Sequence, residues 1–247
     1  PIWHGKPTQQ ARDLAPLWRA YRKEGFAAEM AKGKPLMRVI PVNTSLRDPF
    51  QVLPFDELKP IIEKTSFQAV AHCPCRKMAG YLDNGCDHST ENCLHFGSMG
   101  RYMVEHGLAR EITHEETLDI LKAADGEGLV HIIDNMEGHM STICNCCGCC
   151  CAFLKPINEN WGLDMLSYSN YIASVDGGAC VACGVCEGRC PMGAIVVEGD
   201  VACVDASKCL GCGACTATCD AESVRLVLRG EVSSPPPIMA FLEARMK

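Results

Sequence analysis

The chain has 247 residues, of which 47% are hydrophobic and 19 are cysteine, and its formal net charge is −7. That size and apolar content fit one large or two ordinary globular domains with a packed core, and the acidic balance argues against a nucleic-acid partner. The longest apolar runs fall well short of the ~20 residues a membrane-spanning helix needs. No charged-then-apolar leader opens the chain, so a signal peptide is not expected. So many cysteines would point to disulfides in a short secreted chain. Thiolates that hold metal need reducing conditions instead, and the expected compartment is the cytoplasm, in an anaerobe or another low-oxygen setting.

Residues 1–65 contain no cysteine and read as a helical N-terminal segment. Leu14, Leu17, Trp18 and Tyr21 recur at helical spacing and predict one packed face. Pro16 suits a first helical turn, so the helix is expected to begin near it. Lys32-Gly-Lys-Pro35 ends it. Pro54 to Thr65 predicts a second helix with Leu58, Ile61 and Ile62 inward.

Residues 66–165 read as a small cysteine-rich α/β domain. Phe67 to Ala71 predicts a strand that runs into His72-Cys-Pro-Cys-Arg76, and Cys86 and Cys93 follow. Ser98 to His106 predicts a helix. Thr113-His-Glu-Glu116 is a capping box opening a further helix through Leu118, Ile120 and Leu121 to Ala124. Gly126-Glu-Gly128 stops that helix, and Leu129 to Ile133 predicts a strand. Then Ile143-Cys-Asn-Cys-Cys-Gly-Cys-Cys-Cys151 places six cysteines in eight positions. Both cysteine groups follow a strand, so both are expected at one end of the unit.

Ten cysteines of this block are candidate metal ligands: Cys73, Cys75, Cys86, Cys93, Cys144, Cys146, Cys147, Cys149, Cys150 and Cys151. Cys73, Cys75, Cys86 and Cys93 suffice to close one cubane, with Arg76 donating toward cluster sulfur or a partner carboxylate. Neighbouring residues of an extended chain point to opposite sides. Alternation therefore groups Cys144 with Cys146, and Cys147 with Cys149 and Cys151. One or two additional iron–sulfur clusters are the leading expectation. Zinc, joined by His72, His88 or His95, and thiol–disulfide exchange are the alternatives.

Residues 166–230 carry two matching runs, followed by a tail over residues 231–247. The first run is Cys180-x2-Cys183-x2-Cys186-x3-Cys190 with Pro191 after it, and the second is Cys209-x2-Cys212-x2-Cys215-x3-Cys219. This is the spacing for two [4Fe–4S] clusters, in which the fourth cysteine of each run ligates the other cluster. The expected sets are Cys180, Cys183, Cys186 and Cys219 for one, and Cys209, Cys212, Cys215 and Cys190 for the other. Ala194 to Val197 and Val201 to Val204 predict a hairpin around Glu198-Gly-Asp200. Cys203 fits neither run and reads as a small apolar packing residue.

Residues 170–230 resemble the 2[4Fe–4S] bacterial ferredoxins. The resemblance implies two pseudo-symmetric halves, with Tyr171 to Val175 opening the first and Ser223 to Leu228 closing the second. Asp220 stands where proline usually follows the last cysteine. Over about residues 40–225, Cys73-Pro-Cys-Arg76, Cys86, Cys93 and Ile143-Cys-Asn-Cys-Cys147 ahead of that segment look like a group of dicluster, ferredoxin-type iron–sulfur proteins of anaerobic bacteria. The expected fold is therefore α+β, with a C-terminal ferredoxin-like dicluster domain joined to the cysteine-rich unit. The expected function is electron transfer, as a polyferredoxin-type subunit or partner of a larger oxidoreductase, with a flavoprotein or other oxidoreductase subunit as redox partner. The alternative is a redox enzyme whose catalytic cluster lies in the 73–151 region, near His131, Glu137 and His139, and acts on a thiol, disulfide or other small substrate. No Gly-rich phosphate loop is present to bind a nucleotide.

Overall fold

Thr8 opens the helix Gln9–Tyr21 by accepting a hydrogen bond from the Ala11 amide at 3.2 Å. The computed structural model describes residues 8–41, 58–161 and 165–246. The helices in chain order are α1 (Gln9–Tyr21), α2 (Ala27–Met30), α3 (Leu58–Glu63), α4 (Pro74–Tyr81), α5 (Gly97–Glu105), α6 (His114–Gly126), α7 (Leu154–Asn158), α8 (Val185–Arg189) and α9 (Ile238–Met246). A π-helical turn, Arg22–Phe26, joins α1 to α2. None is long and apolar enough to cross a membrane.

Seven strands form one mixed sheet: β1 (Met37–Ile40), β2 (Gln68–His72), β3 (Glu91–Phe96), β4 (Arg110–Glu111), β5 (Val130–Asp134), β6 (Thr142–Cys146) and β7 (Leu166–Ser167). Their order is β4-β2-β3-β6-β5-β1-β7, antiparallel throughout except for β1 beside β7. Two reversals separate β2 from β6, so both end at the same edge of the sheet. Cys73 follows the first and Cys146 closes the second. The sheet topology therefore brings the two cysteine groups together.

Alternation along the strands sorts the faces. One face turns Ile40, Val70, Leu94, Ile133 and Ile143 toward α3 and α6. The other carries Val39, Ile132, Cys144 and Cys146, packed on Leu154 of α7 and on Leu210. Cys93 shares this second parity and packs with Ala69, Ala71 and Met103 of α5.

Beyond the sheet, β8 (Tyr171–Val175) pairs with β11 (Val224–Leu228), and β9 (Ile195–Glu198) with β10 (Val201–Val204), both antiparallel. The chain is a mixed α+β protein with a cysteine-rich region. The hairpin and both outer strands fall where the sequence predicts them.

Three expectations for the N-terminal segment need correction. α1 begins seven residues before Pro16, which lies inside it; proline removes one backbone donor, and the helix continues past it. Its packed face is Ala11 and Ala15, while Leu14, Leu17 and Tyr21 are exposed. Small residues allow close approach to α4, so size overrides the apolar stripe. The N-terminal segment is also not wholly helical, because Met37–Ile40 is a buried strand paired with β5. The tail over residues 231–247 contains α9, and Arg245 donates to the carbonyls of Lys34 at 2.9 Å and Glu29 at 3.1 Å. The predicted second helix is described from Leu58 onward; its start and the Ile61 side chain lie outside the described residues.

Candidate metal centre

The C-terminal runs form the same local structure twice. Asp176 and Asp205 each stand four residues before the first cysteine, and their carbonyls accept from the amides of Cys180 and Cys209, both at 3.0 Å. Their carboxylates accept from the amides of Gly178 and Ser207, both at 3.0 Å. Around the second cysteine the backbone turns left-handed twice in each run, at Ala182 (φ 51°) and Gly184 (φ 76°), and at Gly211 (φ 70°) and Gly213 (φ 80°). A β-carbon on Gly211 would lie 2.0 Å from the Tyr171 carbonyl oxygen, so only glycine fits there.

Each run wraps one small cavity. The first is lined by Cys180, Cys183, Cys186 and Cys219. The second is lined by Cys190, Cys209, Cys212 and Cys215. The fourth cysteine of each run thus faces the other run's cavity. The outer cavity opens at exposed Cys183, whereas Cys209 and Cys215 of the inner one are buried. The Cys180 thiol is shifted down by backbone N–H groups of Ala182 and Ala202. Burial pushes the Cys212 thiol up to about 12. Cys203 is half-buried in β10 and lines neither cavity.

The other ten cysteines divide into two sets. Cys86, Cys147, Cys149 and Cys150 bring their sulfurs within 4.8 Å of one another. These four can hold a metal ion. A hydrogen bond from Cys150, with the nearby Arg76 charge, draws the Cys147 thiol below its ordinary value. Burial and the neighbouring Cys147 raise Cys149 to about 11.

The second set is Cys73, Cys75, Cys93, Cys144, Cys146 and Cys151. Cys146 and Cys151 lie 3.1 Å apart. Cys144 hydrogen-bonds both Cys93 and Cys146, and Cys73 pairs with Cys75. Cys73 caps α4, and Pro74 suits the first helical position because its missing N–H would be unpaired there anyway.

The grouping departs from the sequence expectation. Cys86 leaves Cys73, Cys75 and Cys93 for the second cysteine run, and Cys151 joins Cys146 instead of Cys147. A turn between Cys147 and Cys151 breaks the alternation on which that expectation stood. Cys146 and Cys147 do part to different sets.

A buried polar network fixes the strands that carry these thiols. Arg76, 3% exposed, donates to the Ser89 carbonyl at 2.9 Å, Asn92 Oδ1 at 2.9 Å and the Asn145 carbonyl at 2.6 Å. Asn145 Nδ2 donates to the Asn92 carbonyl, and its Oδ1 lies 2.7 Å from His131 Nδ1. His131 Nε2 meets Asp125 Oδ1 at 2.5 Å. His131 is therefore held between two side chains, and Glu137 and His139 lie exposed in the following loop. Of the three histidines weighed as ligands, His95 lies 3.5 Å from the Cys93 sulfur. His72 pairs with Thr90 and His88 with Glu127.

Sequence reading missed Arg22. The π-helical turn sets its guanidinium on the carbonyls of Cys150 (3.4 Å) and Cys151 (3.1 Å). π-bulges often mark functional sites, but nothing in the local sequence announces this one. A cavity of about 150 Å³ beside Cys149 and Cys150 is lined by Trp18, Arg19, Lys23, Lys155 and Trp161.

The inner cavity abuts the 147–150 turn. Asn158 Nδ2 donates to the carbonyls of both Gly148 (3.3 Å) and Pro191 (2.9 Å). Arg189, next to Cys190, donates to the Gly126 carbonyl at 3.1 Å, where cationic charge suits a helix C-terminus. A β-carbon on Gly148 would come within 2.2 Å of the Pro191 carbonyl oxygen. Gly148→Ala is expected to lower stability by about 2 kcal/mol through overpacking. Gly188→Ala, where nothing lies within 4 Å, is the control and should leave the thermal midpoint unchanged or slightly raised.

Comparison of the chain with protein-family models, with curated proteins and with solved structures returns no match.

Proposed function

We propose that this protein transfers electrons through bound iron–sulfur clusters, as a polyferredoxin-type subunit or partner of a larger anaerobic oxidoreductase. The observation that supports this most is the pair of C-terminal cavities, each lined by three cysteines of one run and the fourth of the other. Two [4Fe–4S] clusters fit that donor set, in a segment that resembles the bacterial ferredoxins. A third cluster belongs with the set of Cys73, Cys75, Cys93, Cys144, Cys146 and Cys151. Such clusters supply one-electron couples whose potentials depend on burial and on hydrogen bonds to sulfur.

The residues of the chain give the path a direction. Exposed Cys183, with Val181 68% and Val185 45% exposed beside it, forms the end a redox partner reaches. The inner cavity lies deeper, and Cys212 packs in the same apolar cluster as Cys146 and Cys151. The sites thus run from a surface rim through the inner cavity to the large sheet. Thiol hydrogen bonds such as the Ala194 amide to Cys190 at 3.2 Å hold the sulfurs in orientation.

The cleft beside Cys149 and Cys150 favours a second reading, a redox enzyme acting on a small substrate, since a carrier needs no pocket. Its tryptophans and cationic side chains suit a compact anion. Ligand challenge separates the readings. A carrier has every metal fully thiolate-bound, so added cyanide or carbon monoxide leaves the reduced spectra unchanged. Spectral shifts that vanish on substituting Cys147 would establish an open metal position and the enzyme.

A further inference from the structure

We infer that Cys86, Cys147, Cys149 and Cys150 form a separate mononuclear site, in which four thiolates bind one divalent d-block ion, zinc or iron, tetrahedrally. Size carries the inference. With metal–sulfur bonds of about 2.3 Å, a tetrahedral ion places its four sulfurs about 3.8 Å apart. The sulfurs of Cys86 and Cys147 are 3.9 Å apart, those of Cys86 and Cys150 3.7 Å, and those of Cys149 and Cys150 3.7 Å. A cubane places each thiolate on a different iron and spreads the four over its whole width. Among the described residues, these are the four cysteines whose sulfurs all lie within 4.8 Å of one another; in the six-cysteine set, pairs such as Cys146 and Cys151 at 3.1 Å come close without the whole set doing so.

The surroundings match a compact anionic centre. Four thiolates around a divalent ion leave two negative charges. The Arg76 charge acts on Cys147, and its buried Nε makes no hydrogen bond among the described residues. Arg22 holds the carbonyls of Cys150 and Cys151. Four protein ligands fill the coordination sphere, which is the mark of a structural site. Exposed Cys149 gives the ion its way in. The ion ties the loop after α4 to the turn after β6 and so fixes Cys146 and Cys151 on the other side of that turn. The inference does not depend on the electron-transfer reading.

Stoichiometry tests it on full-length protein isolated without oxygen. Cys86→Ser and Cys149→Ser should each lose one metal equivalent per chain and no acid-labile sulfide, with the spectra of the C-terminal clusters retained. Loss of four irons with four sulfides would assign the four cysteines to a cubane and overturn the inference, as would unchanged metal content in both variants. Should both variants fail to fold, wild-type protein produced in cobalt-supplemented medium decides. The ligand-field bands of tetrahedral tetrathiolate Co2+ support the site, and their absence overturns it. Absence of sulfide from the whole protein would instead defeat the electron-transfer reading and leave this site standing.

Discussion

Cys190→Ala is expected to abolish the electron paramagnetic resonance signal of the cluster proposed for Cys209, Cys212 and Cys215 and to spare that of the cluster proposed for Cys180, Cys183 and Cys186. The reason is spatial. Cys190 lies only four residues beyond Cys186, yet it lines the cavity of the second run. Cys219 lines the cavity of the first. The expected readout is loss of about half the C-terminal signal, with iron falling toward four fewer atoms per chain, as crossed ligation requires. Loss confined to the Cys180 run's own signal would refute the crossed assignment.

Arg76→Met should be the most damaging single change outside the cysteines. Removing the guanidinium takes its donors from the buried Asn92 side chain and the Asn145 carbonyl, while the Ser89 carbonyl keeps the Asn92 amide as donor. It also removes the positive charge that bears on Cys73, Cys147 and Cys146. Unpaired buried acceptors cost about 1–3 kcal/mol each, and deleting one side of a buried charge arrangement about 3–5 kcal/mol. A loss of at least about 3 kcal/mol is expected, seen as a lower thermal midpoint and reduced metal content at the ten N-terminal cysteines. Arg76→Lys should not restore it, because a single ammonium cannot reach three acceptors in the guanidinium's planar arrangement. A wild-type midpoint and metal content in Arg76→Met would show that the network is dispensable.

Legibility followed sequence distance. The C-terminal cavities were readable because each loop that lines one writes its need into neighbouring residues: three cysteines within seven positions, glycines where the backbone turns left-handed, and one cysteine further on. Strands β2 and β5 and helices α5 and α6 emerged within a residue or two from periodicity and capping; Thr113 caps α6 by accepting from the Glu116 amide at 3.1 Å. The capping box forms by that half, while Glu116 pairs with Arg110 at 2.6 Å. The division of the ten other cysteines was not readable, because Cys86 meets Cys147 across 61 residues of chain. Local alternation had no access to that closure, and the turn at Gly148 overrode it. Helix α1 misled for a related reason: its leucine stripe has the right period, but alanines at the approach to α4 decide which face is buried. Strand β1 has no alternation to announce it, since all four of its residues are buried.

Iron and acid-labile sulfide analysis of anaerobically isolated protein, joined to electron paramagnetic resonance during stepwise reduction, tests the central claim most directly. The account predicts eight irons and eight sulfides in the two C-terminal clusters, whose reduced spins couple as neighbours, and four more of each from the six-cysteine set. Stoichiometric zinc with no labile sulfide and no reducible signal would contradict it.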